Sequence, residues 1–356
     1  MLFICIIMKL KTHYKGKQYM KKRFGYKNAY NGRLFLLCWI AYFSTYICRL
    51  NFSAVMPELL GSGAFTQSET AAVSSAFFIC YGAGQLFSGV LCDKISARLL
   101  IFAGVLFSGL SNLFIFLFSE SYTALLVLWA LNGIAQSLVW APILKLAGDY
   151  YNEGEKVKFG VDISTTVPLG TLASYGVSLV TLLFAEWRYV FAVCGALVII
   201  AAVYWFIGTS GLKKIPKVEN RLDEAIQTAP TAVSGKKLVK IFLISGTAAL
   251  MIPIAIQGTL KDSVTQWIPT FLEGNYNMGT SLSLLLTMVL PVINVTGAYL
   301  AKALNKKLKN ELATSAAFFG IAAAFLILLM TAGTKSAVLA VICMAGITNS
   351  MFAINV

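Results

Sequence analysis

Charge is scarce in this 356-residue sequence: 12% of its residues are Asp, Glu, Lys or Arg. Soluble domains carry about 25%, so a water-exposed globular surface is excluded. Histidine is nearly absent. His13 is the single example, which leaves neither a metal-ligand set nor the usual acid–base constellation, so no metal site and no catalytic residue is expected. The seven cysteines, at 5, 38, 48, 80, 92, 194 and 343, include no CxxC pair and lie mostly in apolar runs, which excludes a zinc or disulfide scaffold. No G-x4-G-K-[ST] loop occurs, so nothing points to ATP, and no cofactor is expected.

What the sequence has is apolar length. With 58% hydrophobic residues, it reads as an all-α integral membrane chain. Ten stretches approach the roughly 20 residues that cross a bilayer as helix: 34–57, 70–92, 97–118, 123–146, 160–184, 187–210, 244–272, 279–303, 312–333 and 337–356. The net charge of +14 could be the footprint of a nucleic-acid binder, but its distribution says otherwise. Of the 29 basic residues, 25 fall in the N-terminal segment or in alternate connections, on one side of the bilayer. Cytoplasmic loops retain positive charge, so the N-terminus is expected in the cytoplasm, the protein in the plasma membrane and nucleic acid not among its partners.

The longest connection is polar and divides the chain. The expected organisation is a basic cytoplasmic segment 1–33, a six-helix bundle 34–210, a cytoplasmic linker 211–243 and a C-terminal bundle 244–356 of four helices. The halves share a pattern: Arg49 precedes Pro57 by eight residues in RLNFSAVMPELL, and Lys261 precedes Pro269 by eight in KDSVTQWIPTFL. Spans one and seven thus read as equivalent helices of a parallel repeat. On this count about ten of twelve helices are present, Val356 falls inside the tenth stretch, and the short leading MLFICII is expected to reflect a misassigned start.

Arg49 lies deep within its span, and an intramembrane guanidinium costs about 2.5 kcal/mol or more unless it faces a partner or a polar cavity. Few intramembrane acids are available to pair it. Lys261 has Asp262 as its sequence neighbour, but adjacent helical residues do not face each other, so it too is expected unpaired. Two cations from equivalent helices would meet near the midplane and share an anion. Tyr42, Tyr46 and Arg49, at i, i+4 and i+7, stand on one helix face.

After span two, GVLCDKISAR places Gly89, Asp93 and Arg98 as G-x3-D-x4-R. This resembles the loop signature of the major facilitator superfamily, which implies a fold of two helical bundles that alternate access, usually as a monomer. Within it, YFSTYICRLNFSAVMP (42–57), NGIAQSLVWAPILK (132–145), EWRYVF (186–191) and LKDSVTQWIPTFL (260–272) resemble the organophosphate:phosphate antiporters. The resemblance implies substrate contacts at Tyr42, Tyr46, Arg49 and Lys261, the last in place of the family's second arginine, and a substrate-binding cavity lining that includes Gln85, Gln136 and Trp140. It further implies a small anionic organophosphate as substrate, with inorganic phosphate as counter-substrate. Gln85 and Val167 stand where glycerol-phosphate members have a lysine and a histidine. That reduced positive charge keeps open a carboxylate symporter, since the anion:cation symporters show a similar R-x-N-x-S-x-x-x-P run. A transporter-like sensor and an inactive fragment are further alternatives. A membrane enzyme acting on lipid phosphates needs a base or nucleophile constellation, which His13 alone does not supply.

Overall fold

The computed structural model describes Tyr26 and residues 29–210, 247–331 and 336–354. Most of the expected basic segment 1–33 and the whole 211–243 linker lie outside the described residues. The described residues form helices α1 (Ala29–Gly61), α2 (Gln67–Lys94), α3 (Ala97–Leu117), α4 (Tyr122–Tyr150), α5 (Glu153–Ser164), α6 (Thr166–Phe184), α7 (Arg188–Gly208), α8 (Thr247–Tyr276), α9 (Thr280–Leu308), α10 (Glu311–Thr331) and α11 (Ala337–Ile354). Among the described residues, nine spans are long and apolar enough to cross a membrane, α5 and α6 counting as one. In lipid every backbone polar group must be satisfied within its own segment, and helices accomplish this. Leu86, Phe87, Phe184, Tyr299 and Met330 are among the large apolar side chains left exposed, a surface that suits acyl chains rather than water.

Two expectations need correction. The segment 147–159, left between the fourth and fifth apolar stretches, is largely helical, because α4 runs on to Tyr150 and α5 begins at Glu153. Its start is set by capping rather than by apolarity: the Asn152 side chain accepts from the Glu155 amide at 3.0 Å, and Glu153 and Glu155 sit in the first turn, where the helix dipole favours acids. The second correction concerns α8. It is long enough to span but is not among the nine apolar helices, since it carries Gln257, Lys261, Asp262 and Gln266.

The helices of 29–208 pack mainly on one another, with α2 and α3 against α4, α3 against α7, and α1 against α6 and α7. Their core surrounds Trp129, whose ring lies 5.0 Å from Phe52 and 5.4 Å from Phe77. Small residues permit the close approaches. A Cβ on Gly195 of α7 would come within 2.8 Å of the Gly109 carbonyl of α3. The helices 247–354 pack likewise, α11 touching α8, α9 and α10. The two groups meet where α1 and α6 face α8 and α9.

Candidate functional site

Between these four helices lies a cavity of about 50 Å³, room for a few water molecules. Tyr46 and Arg49 line it from α1, Thr171 and Tyr175 from α6, Lys261, Asp262 and Thr265 from α8, and Thr287 and Asn294 from α9. The two cations read from the sequence as equivalent therefore open on one space.

Arg49 is held by side chains of α1, α2 and α4. Its Nε donates to Gln136 Oε1 at 2.9 Å, and its guanidinium lies 4.5 Å from the Tyr81 ring centroid and 4.9 Å from that of Tyr46. Such cation–π contacts contribute about 0.5–2 kcal/mol when desolvated. Nη2 is buried and has no hydrogen-bond partner among the described residues, and no carboxylate there pairs with Arg49. An unsatisfied buried donor on a charged group costs about 1–3 kcal/mol or more. A small anion that reached Nη2 would relieve that cost.

Lys261 departs from expectation. Its Nζ lies 3.3 Å from Asp262 Oδ1, because the long lysine chain reaches sideways round the helix to the adjacent carboxylate. The formal charges lining the cavity are thus Arg49, Lys261 and Asp262, one net positive charge rather than two.

The other sequence candidates are placed as follows. Tyr46 lines the cavity, whereas Tyr42 is buried behind it, its ring 4.7 Å from Trp140 and 5.6 Å from Tyr46. Tyr42 and Trp140 back the cavity wall instead of facing it. Gln136 is buried and holds Arg49, and Gln85 is half-buried on α2, away from the cavity lining. Val167, at the position where the family resemblance places a histidine, lines the cavity. Gly170, three residues on, lets α6 approach α1, since a Cβ there would meet Tyr46 Cβ at 2.6 Å.

The Gly89, Asp93 and Arg98 loop is a brace at the other end of α2. Asp93 pairs with Lys145 of α4 at 3.2 Å, and Lys145 also donates to the Cys92 carbonyl. Arg98 donates to Thr209 Oγ1 at 2.7 Å and to the Phe206 carbonyl at 2.9 Å, satisfying the C-terminal end of α7. Gly89 is exposed.

Sequence reasoning missed Tyr81, Asn132, Tyr175 and Thr265. One helical turn beyond the two cations, Tyr175 Oη donates to the Thr265 carbonyl at 2.8 Å, and Ser53 Oγ donates to the Gln266 carbonyl, so side chains of α1 and α6 clasp the backbone of α8. Asn132 stands four residues before Gln136 in the NGIAQ segment, a spacing that puts both amides on one face. That was the one available signal.

Comparisons with known proteins agree with this architecture. The chain is 26% identical over 198 residues to the probable hexose phosphate transport protein of Chlamydia muridarum, a match covering 56% of this chain and 42% of that protein. It is 27% identical over 171 residues to the membrane sensor protein UhpC of Escherichia coli, covering 48% and 39%. The matches thus span about two fifths of these relatives' length. Among solved structures, a bacterial homologue of the human lysosomal transporter Spinster superposes with a TM-score of 0.67 at 16% identity, covering 91% of this chain and 73% of that one. The two sequence relatives bear out the resemblance to the organophosphate:phosphate antiporter group. The family model of the Major Facilitator Superfamily matches residues 38–356, and the chain, a multi-pass membrane protein, belongs to that superfamily.

Proposed function

We propose that this chain is a secondary transporter of a small phosphorylated organic anion, exchanged for inorganic phosphate by alternating access about the Arg49 and Lys261 cavity. The observation that carries the reading is the buried, unpartnered Nη2 of Arg49 at a cavity that Lys261 also lines. A guanidinium with a free terminal nitrogen suits a phosphoryl oxygen. The similarity to a protein named as a probable hexose phosphate transport protein supports a sugar phosphate. Arg49 and Tyr46 come from one helix group and Lys261 from the other, so an anion that bridges them favours states in which the groups approach, which couples binding to rocking. The present cavity of about 50 Å³ is smaller than any sugar phosphate, so the helices must separate to load one. In this reading the basic N-terminal segment faces the cytoplasm, the membrane is the plasma membrane and the transporting unit is a monomer.

Similarity to a protein named as a membrane sensor favours a second reading, a receptor that binds the same ligand without moving it. Displacement and counterflow separate the two. Labelled phosphate bound to purified protein should be displaced by hexose and glycerol phosphates better than by a sugar acid; displacement by the carboxylate alone would overturn the phosphate reading. Binding without counterflow in proteoliposomes would leave the sensor.

A further inference from the structure

We propose that Asn132 is a positioning residue for Arg49: it holds the break in α1 at Cys48 and fixes the orientation of the Gln136 amide, and through these it aims the guanidinium into the cavity. The inference rests on the reading that Arg49 receives the substrate anion. Asn132 does not line the cavity and is fully buried on α4.

The starting point is a fault in α1. Cys48, the residue before Arg49, leaves helical geometry at φ −93° and ψ 18°. No proline accounts for it, since Pro57 lies nine residues further on. A backbone carbonyl turned out of the helical ladder inside a bilayer needs a donor from elsewhere. Two side chains of α4 supply it: Asn132 Nδ2 donates to the Cys48 carbonyl at 2.7 Å and Gln136 Nε2 at 3.0 Å. The break is thereby held open at the peptide that sets the direction of the Arg49 side chain.

The same contacts settle which way the Gln136 amide points. Its Nε2 also donates to Ser108 Oγ at 3.1 Å and to Asn132 Oδ1 at 3.2 Å, while Ser108 Oγ donates to Asn132 Oδ1 at 2.6 Å. Three acceptors surround the two protons of Nε2, so Oε1 is the atom left to face the Arg49 Nε–H. Without Asn132, Gln136 loses its amide acceptor and can turn over, presenting a donor to a donor. A second brace follows Arg49, where Asn51 Nδ2 donates to Asn112 Oδ1 at 2.7 Å and Asn112 Nδ2 to the Ser108 carbonyl at 2.9 Å. Arg49 thus sits between two residues anchored by a buried amide network.

The test uses the full chain in lipid nanodiscs with 15N-labelled arginine. The sequence has six arginines, and the Arg49 Nε–H signal is the one lost in Arg49→Lys. In the parent this proton should exchange slowly with water. In Asn132→Leu it should exchange fast, and titration with inorganic phosphate should show affinity weakened about tenfold with the number of binding sites kept. Ser108→Ala, a milder change, should move both readouts in the same direction by about threefold. Parental protection and parental affinity in Asn132→Leu would overturn the proposal, as would a loss of binding sites with unchanged affinity, the mark of a merely structural role. If Asn132→Leu does not fold, Ser108→Ala decides by the same criteria. A parent with a protected Arg49 proton but no phosphate binding would refute the anion reading, and the hydrogen-exchange comparison would still decide the positioning role.

Discussion

Asp262→Asn should tighten the binding of phosphate esters, which is unusual for a change inside a binding cavity. The carboxylate lies 3.3 Å from Lys261 Nζ and lines the same cavity as Arg49. Removing it raises the formal charge facing the ligand from one positive to two. A unit charge about 6 Å from a phosphoryl group, at an effective dielectric near 20, contributes about 3 kcal/mol. The Asp262 side chain is 45% exposed, so solvent screening leaves about half, near 1.4 kcal/mol, or about tenfold in affinity. The assay is equilibrium binding of a labelled hexose phosphate at pH 5 and pH 8. Because a phosphate monoester loses its second proton near pH 6, the ligand carries more charge at the higher pH, and the gain from Asp262→Asn should be larger there. Unchanged or weaker binding in Asp262→Asn, with the number of sites preserved, would refute the electrostatic argument and make the carboxylate a support that places Lys261.

Other outcomes follow from the same geometry. Arg49→Lys should weaken phosphate binding by about 100-fold in the displacement assay, because an ammonium cannot keep the Gln136 bond and the ring contacts while reaching the ligand. Gly170→Val should lower thermal stability by about 1–3 kcal/mol by forcing α6 away from Tyr46, read by thermal unfolding in detergent. Tyr175→Phe together with Ser53→Ala removes two bonds between the helix groups, each worth about 0.5–1.5 kcal/mol, and should increase labelling of a cysteine placed at Thr265 from the Gly61 end of α1. Asp93→Asn should change stability by less than about 1 kcal/mol, since its partner contact with Lys145 is exposed.

The membrane class and nine of the ten spans were legible because apolar runs of spanning length have few alternative fates. The pairing of Arg49 with Lys261 was legible because each stands eight residues before a proline in a matching span, and the fold brings both to one cavity. What sequence could not give was local geometry without a compositional mark. The break at Cys48 has no proline or glycine to announce it and is held by side chains more than 80 residues away. The Lys261 and Asp262 pair contradicts the rule that neighbours on a helix do not meet, since that rule describes Cβ directions and a lysine chain outreaches them. The family resemblance implies a cavity role for Gln136, whereas its hydrogen bonds turn it to Arg49. The α5 start was hidden because a capped polar helix has no apolar signal.

The central claim is that Arg49 and Lys261 together carry an organic phosphate across the membrane in exchange for phosphate. The most direct measurement is heterologous exchange: proteoliposomes preloaded with inorganic phosphate, with uptake of labelled glucose 6-phosphate followed for the parent, Arg49→Ala and Lys261→Ala. The account predicts uptake by the parent that depends on internal phosphate and is lost in both variants. Uptake by the parent without internal phosphate, or parental rates in Arg49→Ala, would contradict it.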